Sequence, residues 1–211
     1  MRSARRMPGS ASPRHVCAPR RPPFATARYA VQMSQVSNWK HEFAVRQLWD
    51  GSPLDSSEGA TVRVQQAPQT LSIEIEAALH GDPLPPGAPG PTDGLWDYEV
   101  VELFLLATDG TYFEFELGPA GHWLALYLRG IRQAERCPLP EHVETQRTKG
   151  RWLGSARFPM AAFPSPFLAG NACTIHGAGG GRRYASCAPL PGDKPDFHQP
   201  ARFPRLGCTP S

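Results

Sequence analysis

Six acidic side chains fall within LWDYEVVELFLLATDGTYFEFEL, residues 95–117, and five of them lie outside its Asp109-Gly110 step: Asp97, Glu99, Glu102, Glu114 and Glu116. The stretch otherwise reads as two β-strands joined by a turn at Asp109-Gly110, and acids are depleted in strands. Carboxylates in such a place could accept hydroxyl protons from a ligand, work as an acid/base pair, or coat a solvated sheet face. Laid on a pleat, Phe113, Phe115 and Leu117 face one side, and Tyr112, Glu114 and Glu116 the other. In the strand before, both alternating sets become apolar toward the C-terminal end, which predicts a central strand covered on both sides. Glu102 then sits among Val, Leu and Phe whichever way it points. A buried carboxylate is costly unless paired, so a partner is expected among Arg129, Arg151, Arg157, Arg182 and Arg183.

HWLALYLRG (122–130) follows as another strand, with Trp123, Ala125 and Tyr127 on one face. If that face also carries Glu114 and Glu116, it makes a carbohydrate platform, with rings stacking on a pyranose while carboxylates take its hydroxyl protons. The competing reading is a wet sheet face crossed by Glu/Arg pairs. A retaining glycosidase needs carboxyls about 5–5.5 Å apart flanking a bond. Glu114 and Glu116 lie roughly 6.5–7 Å apart along one strand by its rise, which is admissible but requires a cleft.

Histidines 122, 176 and 198, with Asp196, could form a metal or acid/base site, although no HxH or i, i+4 pair supports it. GAGGGR (177–182) lacks the following helix that a phosphate loop requires, because RRYASCA reads as a strand; a hairpin turn is expected. No GxSxG elbow or catalytic Cys block is present. The five cysteines show no metal spacing, which fits a reducing, cytoplasmic setting. With that turn centred on Gly180, Cys173 and Cys187 would lie opposite one another as two small apolar side chains, or as a disulfide.

The elements positioning these residues are short strands separated by Pro and Gly punctuation, with no helix of three turns. They run through EFAVRQLW (42–49), ATVRVQQ (60–66), TLSIEIEAAL (70–79), the two acidic strands and 122–130. VETQRT and RWLGSARF then form a hairpin turning at Lys149-Gly150, before ACTIHG and RRYASCA. In TLSIEIEAAL, Leu71, Ile73, Ile75 and Ala77 alternate inward. MAAF (160–163) allows one helical turn. HGDPLPPGAPGPTDG (80–94), with five prolines, is a long surface loop. Eight to ten strands at this spacing predict an all-β fold, one antiparallel β-sandwich over residues 38–203 with a tail at 204–211.

Charge is unevenly placed. Residues 1–32 hold seven arginines and no acid, so taking that +7 from the net +3 leaves about −4 for the rest. A nucleic-acid surface is therefore not expected on the body of the chain. The arm, residues 1–35, reads as disordered and basic, as an Arg-rich, acid-free targeting peptide, or as sequence upstream of a true start at Met33; it lacks the apolar stretch of a secretory signal. No window reaches 18 consecutive apolar residues, so no membrane span is expected.

LWDYEVVELF (95–104), YFEFELGPAGHWLAL (112–126), TIHG (174–177), RRYASCAPLP (182–191) and KPDFH (194–198) resemble blocks of an uncharacterised protein family of bacteria and vertebrates, over about residues 42–200. That resemblance implies a DOMON-like β-sandwich akin to family 9 carbohydrate-binding modules. By analogy it also implies saccharide binding between two aromatic rings, for which Trp96 and Trp123 are the candidate pair; no cofactor is expected, with calcium left open by the same analogy. The expectation is thus a non-catalytic domain for a small polar ligand. Trp96, Trp123 and Tyr127 would stack, and Asp97, Glu99, Glu114, Glu116 and His122 would hydrogen-bond. A hydrolase using His176, Asp196 and His198 with the acids is the alternative, and a protein-interaction scaffold a second. Glu102, Arg183 and Tyr184 are assigned to structure or to the alternative site. A further possibility makes KPDFH an internal lock, Asp196 pairing with an arginine and Phe197 plugging the sandwich.

Overall fold

A computed structural model describes residues 39–207. The basic arm, the question of its start and the last four residues lie outside them. Among the described residues twelve strands form two antiparallel sheets. β1 (Trp39–Val45), β3 (Ala60–Gln66), β4 (Thr70–Ala78), β10 (Arg151–Pro159) and β9 (His142–Arg147) build a five-stranded sheet in that spatial order. The seven-stranded sheet runs β2 (Gln47–Leu48), β12 (Arg183–Ser186), β11 (Phe167–His176), β5 (Val100–Ala107), β6 (Tyr112–Leu117), β7 (Trp123–Gly130) and β8 (Gln133–Arg136). The expected β-sandwich is what forms.

The first sheet has one dry and one wet face. On β4, Leu71, Ile73, Ile75 and Ala77 are buried as the alternation predicts. On its outer side Glu42 pairs with Arg63 and Glu76 with Arg151, in largely solvated ion pairs worth at most about 1 kcal/mol each. Between the sheets Phe113, Phe115, Phe158 and Phe163 make an edge-to-face cluster, with Phe113 4.9 Å from Phe163 and 5.1 Å from Phe158. Each ring removed from water stabilises by about 1.5–3 kcal/mol, so this layer holds the sandwich together.

The second sheet is dry on both faces. Every residue of β6, and all but Leu106 of β5, is buried, and β5 lies centrally between β11 and β6. The outer face is roofed by two non-strand segments. The Pro-rich loop and the 3₁₀ turn Leu95–Asp97 bring in Leu95, while the chain after β12 lays down Leu190, Phe197 and Phe203. The roof extends past residue 203. Gly170 N–H donates to the Pro204 carbonyl and Leu206 N–H to that of Leu168, so the expected tail begins as an added bridge on β11.

The Lys149-Gly150 turn joins β9 and β10, MAAF gives a 3₁₀ turn at Met160–Ala162, and the glycines turn β11 into β12. Cys173 and Cys187 do not face each other. Cys173 opposes Ser186, and Cys187 N–H donates to the Ala172 carbonyl, so the turn is centred half a residue from Gly180 and the two thiols, both free, face opposite sides. Among the described residues no helix is long and apolar enough to cross a membrane.

Candidate functional site

The registers decide which side chains meet. Glu102 opposes Glu116 across β5 and β6, while Glu114 opposes Phe104. On β7, Leu126 opposes Glu114 and Leu124 opposes Glu116, whereas Trp123 opposes Leu117 and Tyr127 opposes Phe113. Directly opposed residues share a face. Trp123 and Tyr127 therefore point between the sheets, and Tyr127 is buried there with its hydroxyl on Thr111. The expected platform of Glu114, Glu116, Trp123 and Tyr127 is not formed, and neither is a Trp96–Trp123 clamp. The physical reason is the 118–122 turn, whose length sets β7 so that its leucines join the acids.

What the acids floor instead is a cavity of about 520 Å³ under the roof. Its walls include Trp96, Tyr184 and Phe197 with Leu126 and Leu128, and its polar lining is Glu102, Glu114, Arg132, Asp196 and His198. Trp96, 43% exposed, stands at its rim on the 3₁₀ turn. Tyr184 and Phe197 meet edge to face with centroids 6.2 Å apart. A hollow of about 420 Å³ on the wet face of the other sheet, around Glu42, Arg63 and Glu74, has two of its charged side chains already engaged in the Glu42–Arg63 pair. The roofed cavity is the better site.

KPDFH makes one of its walls. Asp196 takes a 2.7 Å bond from the Arg132 guanidinium and a second from the His198 N–H. Arg132, in the β7–β8 turn, is the one non-glycine among the described residues with a left-handed φ, 56°. Its N–H donates to the Tyr112 hydroxyl, so two contacts hold that turn. The same hydroxyl lies 2.8 Å from His198 Nδ1. Donation from Tyr112 to Nδ1 leaves the ring proton on Nε2, which faces Glu114 Oε1 at 3.9 Å. Burial, aided by Arg132, drops His198 to about 4, so the ring is neutral at pH 7. The lock reading thus holds in its contacts, but Asp196 and Phe197 line the cavity rather than lying away from it.

Burial pushes all three acids of the floor toward their protonated forms. Burial lifts Glu114 to about 8, with the adjacent Glu116 carboxyl and the Arg132 charge pulling the other way. Burial and the Glu114 charge push Glu102 well above the carboxylate range, opposed by Arg182. Burial, then Glu102 and Glu114, push Glu116 up likewise. None of the five arginines expected to pair with Glu102 forms an ion pair with it among the described residues. Arg129 pairs with Glu135, Arg151 with Glu76 and Arg183 with Glu58, and Arg182 donates to the carbonyls of Trp96, Asp97 and Gly177. Glu114 and Glu116 were expected to meet solvent or ligand; both are buried, and of the two only Glu114 lines the cavity.

The remaining candidates lie elsewhere. Glu99 is buried and accepts the N–H groups of His80, Gly81 and Asp82, pinning the Pro-rich loop. His176 stacks on His80 at 3.5 Å and bonds Glu58, which also takes two bonds from Arg183. His122 is buried with neither ring nitrogen partnered among the described residues. Asp97 is exposed and does not line the cavity. The constellation of His122, His176, His198 and Asp196 is therefore dispersed. Among the described residues no group of three or more His, Cys, Asp or Glu side chains is disposed to hold a metal ion. Sequence reasoning missed Tyr112, Leu126, Leu128 and Arg132 as site residues; alternation already set Tyr112 on the face of Glu114, while the two leucines join that face only through the pairing of β6 with β7.

No family model matches the chain. It is 38% identical over 167 residues to the mouse UPF0462 protein C4orf33 homolog, covering 75% of this chain and 86% of that protein. To the human UPF0462 protein C4orf33 it is 37% identical, covering 74% and 83%. Among solved structures it is similar to a Bacteroides uniformis protein proposed to bind carbohydrate, with a TM-score of 0.58 and 19% identity over 79% of this chain and 85% of that one. A fainter likeness, with a TM-score of 0.47 and 10% identity over 87% and 88%, is to a family 9 carbohydrate-binding module from Caldicellulosiruptor kristjanssonii in complex with cellotriose. The extent and identity of the match to the mouse and human proteins establish that this chain belongs to the UPF0462 family.

Proposed function

We propose that the roofed cavity is a binding site for a small polar ligand of the saccharide class and performs no chemistry of its own. The observation that carries this reading is the cavity's composition. Rings of Trp96, Tyr184 and Phe197 and the leucines of β7 line it together with Glu102, Glu114, Asp196 and His198 in about 520 Å³. A pyranose presents the same two kinds of surface, with apolar C–H faces for stacking and a polar rim for hydrogen bonds. The name of the Bacteroides protein, which shares the fold, points the same way.

The test is intrinsic Trp fluorescence of the full chain, titrated with a panel of mono- and oligosaccharides with and without calcium. A saturable change is expected, and Trp96→Ala is expected to weaken it by about tenfold to a hundredfold, the loss of one buried aromatic face. Silence across the panel, or a response untouched by Trp96→Ala, overturns the proposal.

A further inference from the structure

A polar cavity does not by itself require three acids beneath it. Glu102, Glu114 and Glu116 are 4%, 3% and 0% exposed, on adjacent strands and one face. Glu102 makes no hydrogen bond among the described residues. Glu114 Oε2 and both oxygens of Glu116 meet no donor there beyond a proton the two acids share between themselves. A buried polar atom without a partner is costly. Since Glu102 and Glu114 line the cavity, their missing donors are groups that enter it.

The charges facing the floor show what kind of donor it lacks. Around Glu102 stand Glu114, Glu116, Cys173 and Arg182; around Glu114 stand Glu116, His198 and Arg132; around Glu116 stand Glu102, Glu114 and Asp93. The two cations are already engaged, Arg132 by Asp196 and Arg182 by three backbone carbonyls. His198 is held neutral. The floor is therefore rich in acceptors and acid protons and has no cation of its own to spend. A sugar hydroxyl brings one donor and no charge. A primary ammonium brings three donors, no acceptor and the compensating charge.

We infer that the cavity takes a ligand bearing a protonated amine, seated on Glu102 and Glu114, which under the saccharide reading it rests on is an amino sugar. The proton balance follows from the burial of the floor. At pH 7 the ammonium arrives protonated and meets a Glu114 carboxyl that burial keeps in its acid form. The ammonium stabilises the carboxylate, and the carboxyl proton leaves to solvent.

The test is isothermal titration calorimetry of the full chain at pH 7, in two buffers of different ionisation enthalpy, with glucose, glucosamine, N-acetylglucosamine and 1,4-diaminobutane. Glucosamine is expected to bind about tenfold or more tighter than glucose or the N-acetyl compound, releasing about one proton. Glu114→Gln, which keeps the shape and removes a buried acid, is expected to abolish the proton release while the wild-type thermal transition is retained or raised. Equal affinity for glucose and glucosamine, or amine binding with no proton released, overturns the inference and leaves the saccharide reading standing. Diaminobutane binding with proton release while every sugar is silent supports the amine site and overturns the saccharide reading alone. Silence from all four probes overturns both. Calcium that displaces glucosamine with the same proton release overturns the amine assignment in favour of a cation site.

Discussion

On β6, Phe113, Phe115 and Leu117 point between the two sheets, while Tyr112, Glu114 and Glu116 point under the roof. All six are buried, yet burial has opposite consequences on the two sides. Each inner ring stabilises by its transfer out of water and by edge-to-face contacts, Phe113 with Phe158 and Phe163 and Phe115 with Phe158. Among the described residues each outer acid gives up hydration and gains no ion pair inside 3.5 Å, since the approach of Glu114 to His198 is 3.9 Å long. Glu99 shows that the fold can satisfy a buried acid where that acid has a structural task, because three backbone N–H groups converge on it. The inner face and Glu99 are built to hold the molecule together. Of the outer acids, Glu114 is left open toward the cavity, as the proposed ligand-binding role requires.

The sharpest way to break this contrast is to truncate the inner face. Phe115→Ala is expected to cost about 3–5 kcal/mol in urea denaturation; a loss near zero would show that the inter-sheet layer is not what holds the sandwich. Removing an outer acid should have the reverse sign. With Glu114 at about 8 in the fold and near 4.5 unfolded, the folded state holds more protons between those values. Its contribution is intact below about 4.5 and is lost as pH rises toward about 8, by up to about 1.4 kcal/mol per pH unit. Glu114→Gln should therefore gain on the wild type steadily across that window in denaturation series. His198, lowered to about 4, gives the opposite slope between about 4 and 6.5, but does so in both proteins and cancels in the difference. A constant gap across the pH range would refute the protonated floor. The third change sharpens the comparison among the acids themselves. Glu99→Gln turns an amide N–H₂ toward converging donors and is expected to cost about 1–3 kcal/mol, read by denaturation at pH 7.

Much of the fold was legible because alternation is a local property. Leu71, Ile73, Ile75 and Ala77 face inward as their period requires, and the apolar run around Glu102 marks β5 as a strand covered twice. The turn at Gly150 and the break across 80–94 follow from residues that free or fix φ. The site was legible only in its ingredients. Glu114 and Glu116 could be placed on one face of their own strand, but not assigned to Leu124 and Leu126 rather than to Trp123 and Tyr127. That choice turns on a one-residue register, and a slip of one exchanges the faces. The same half-step separated Cys173 from Cys187.

By itself the sequence determined the strands, their alternation and the burial of Glu102, since each depends on neighbours within a few residues. Only the tertiary structure decided that Trp96, Tyr184 and the Asp196–His198 segment wall a cavity above Glu102 and Glu114. Those residues come from three separate parts of the chain, and what brings them together is the pairing order of the sheet and a C-terminal segment folding back across it. Both are set by long-range packing that no local pattern encodes.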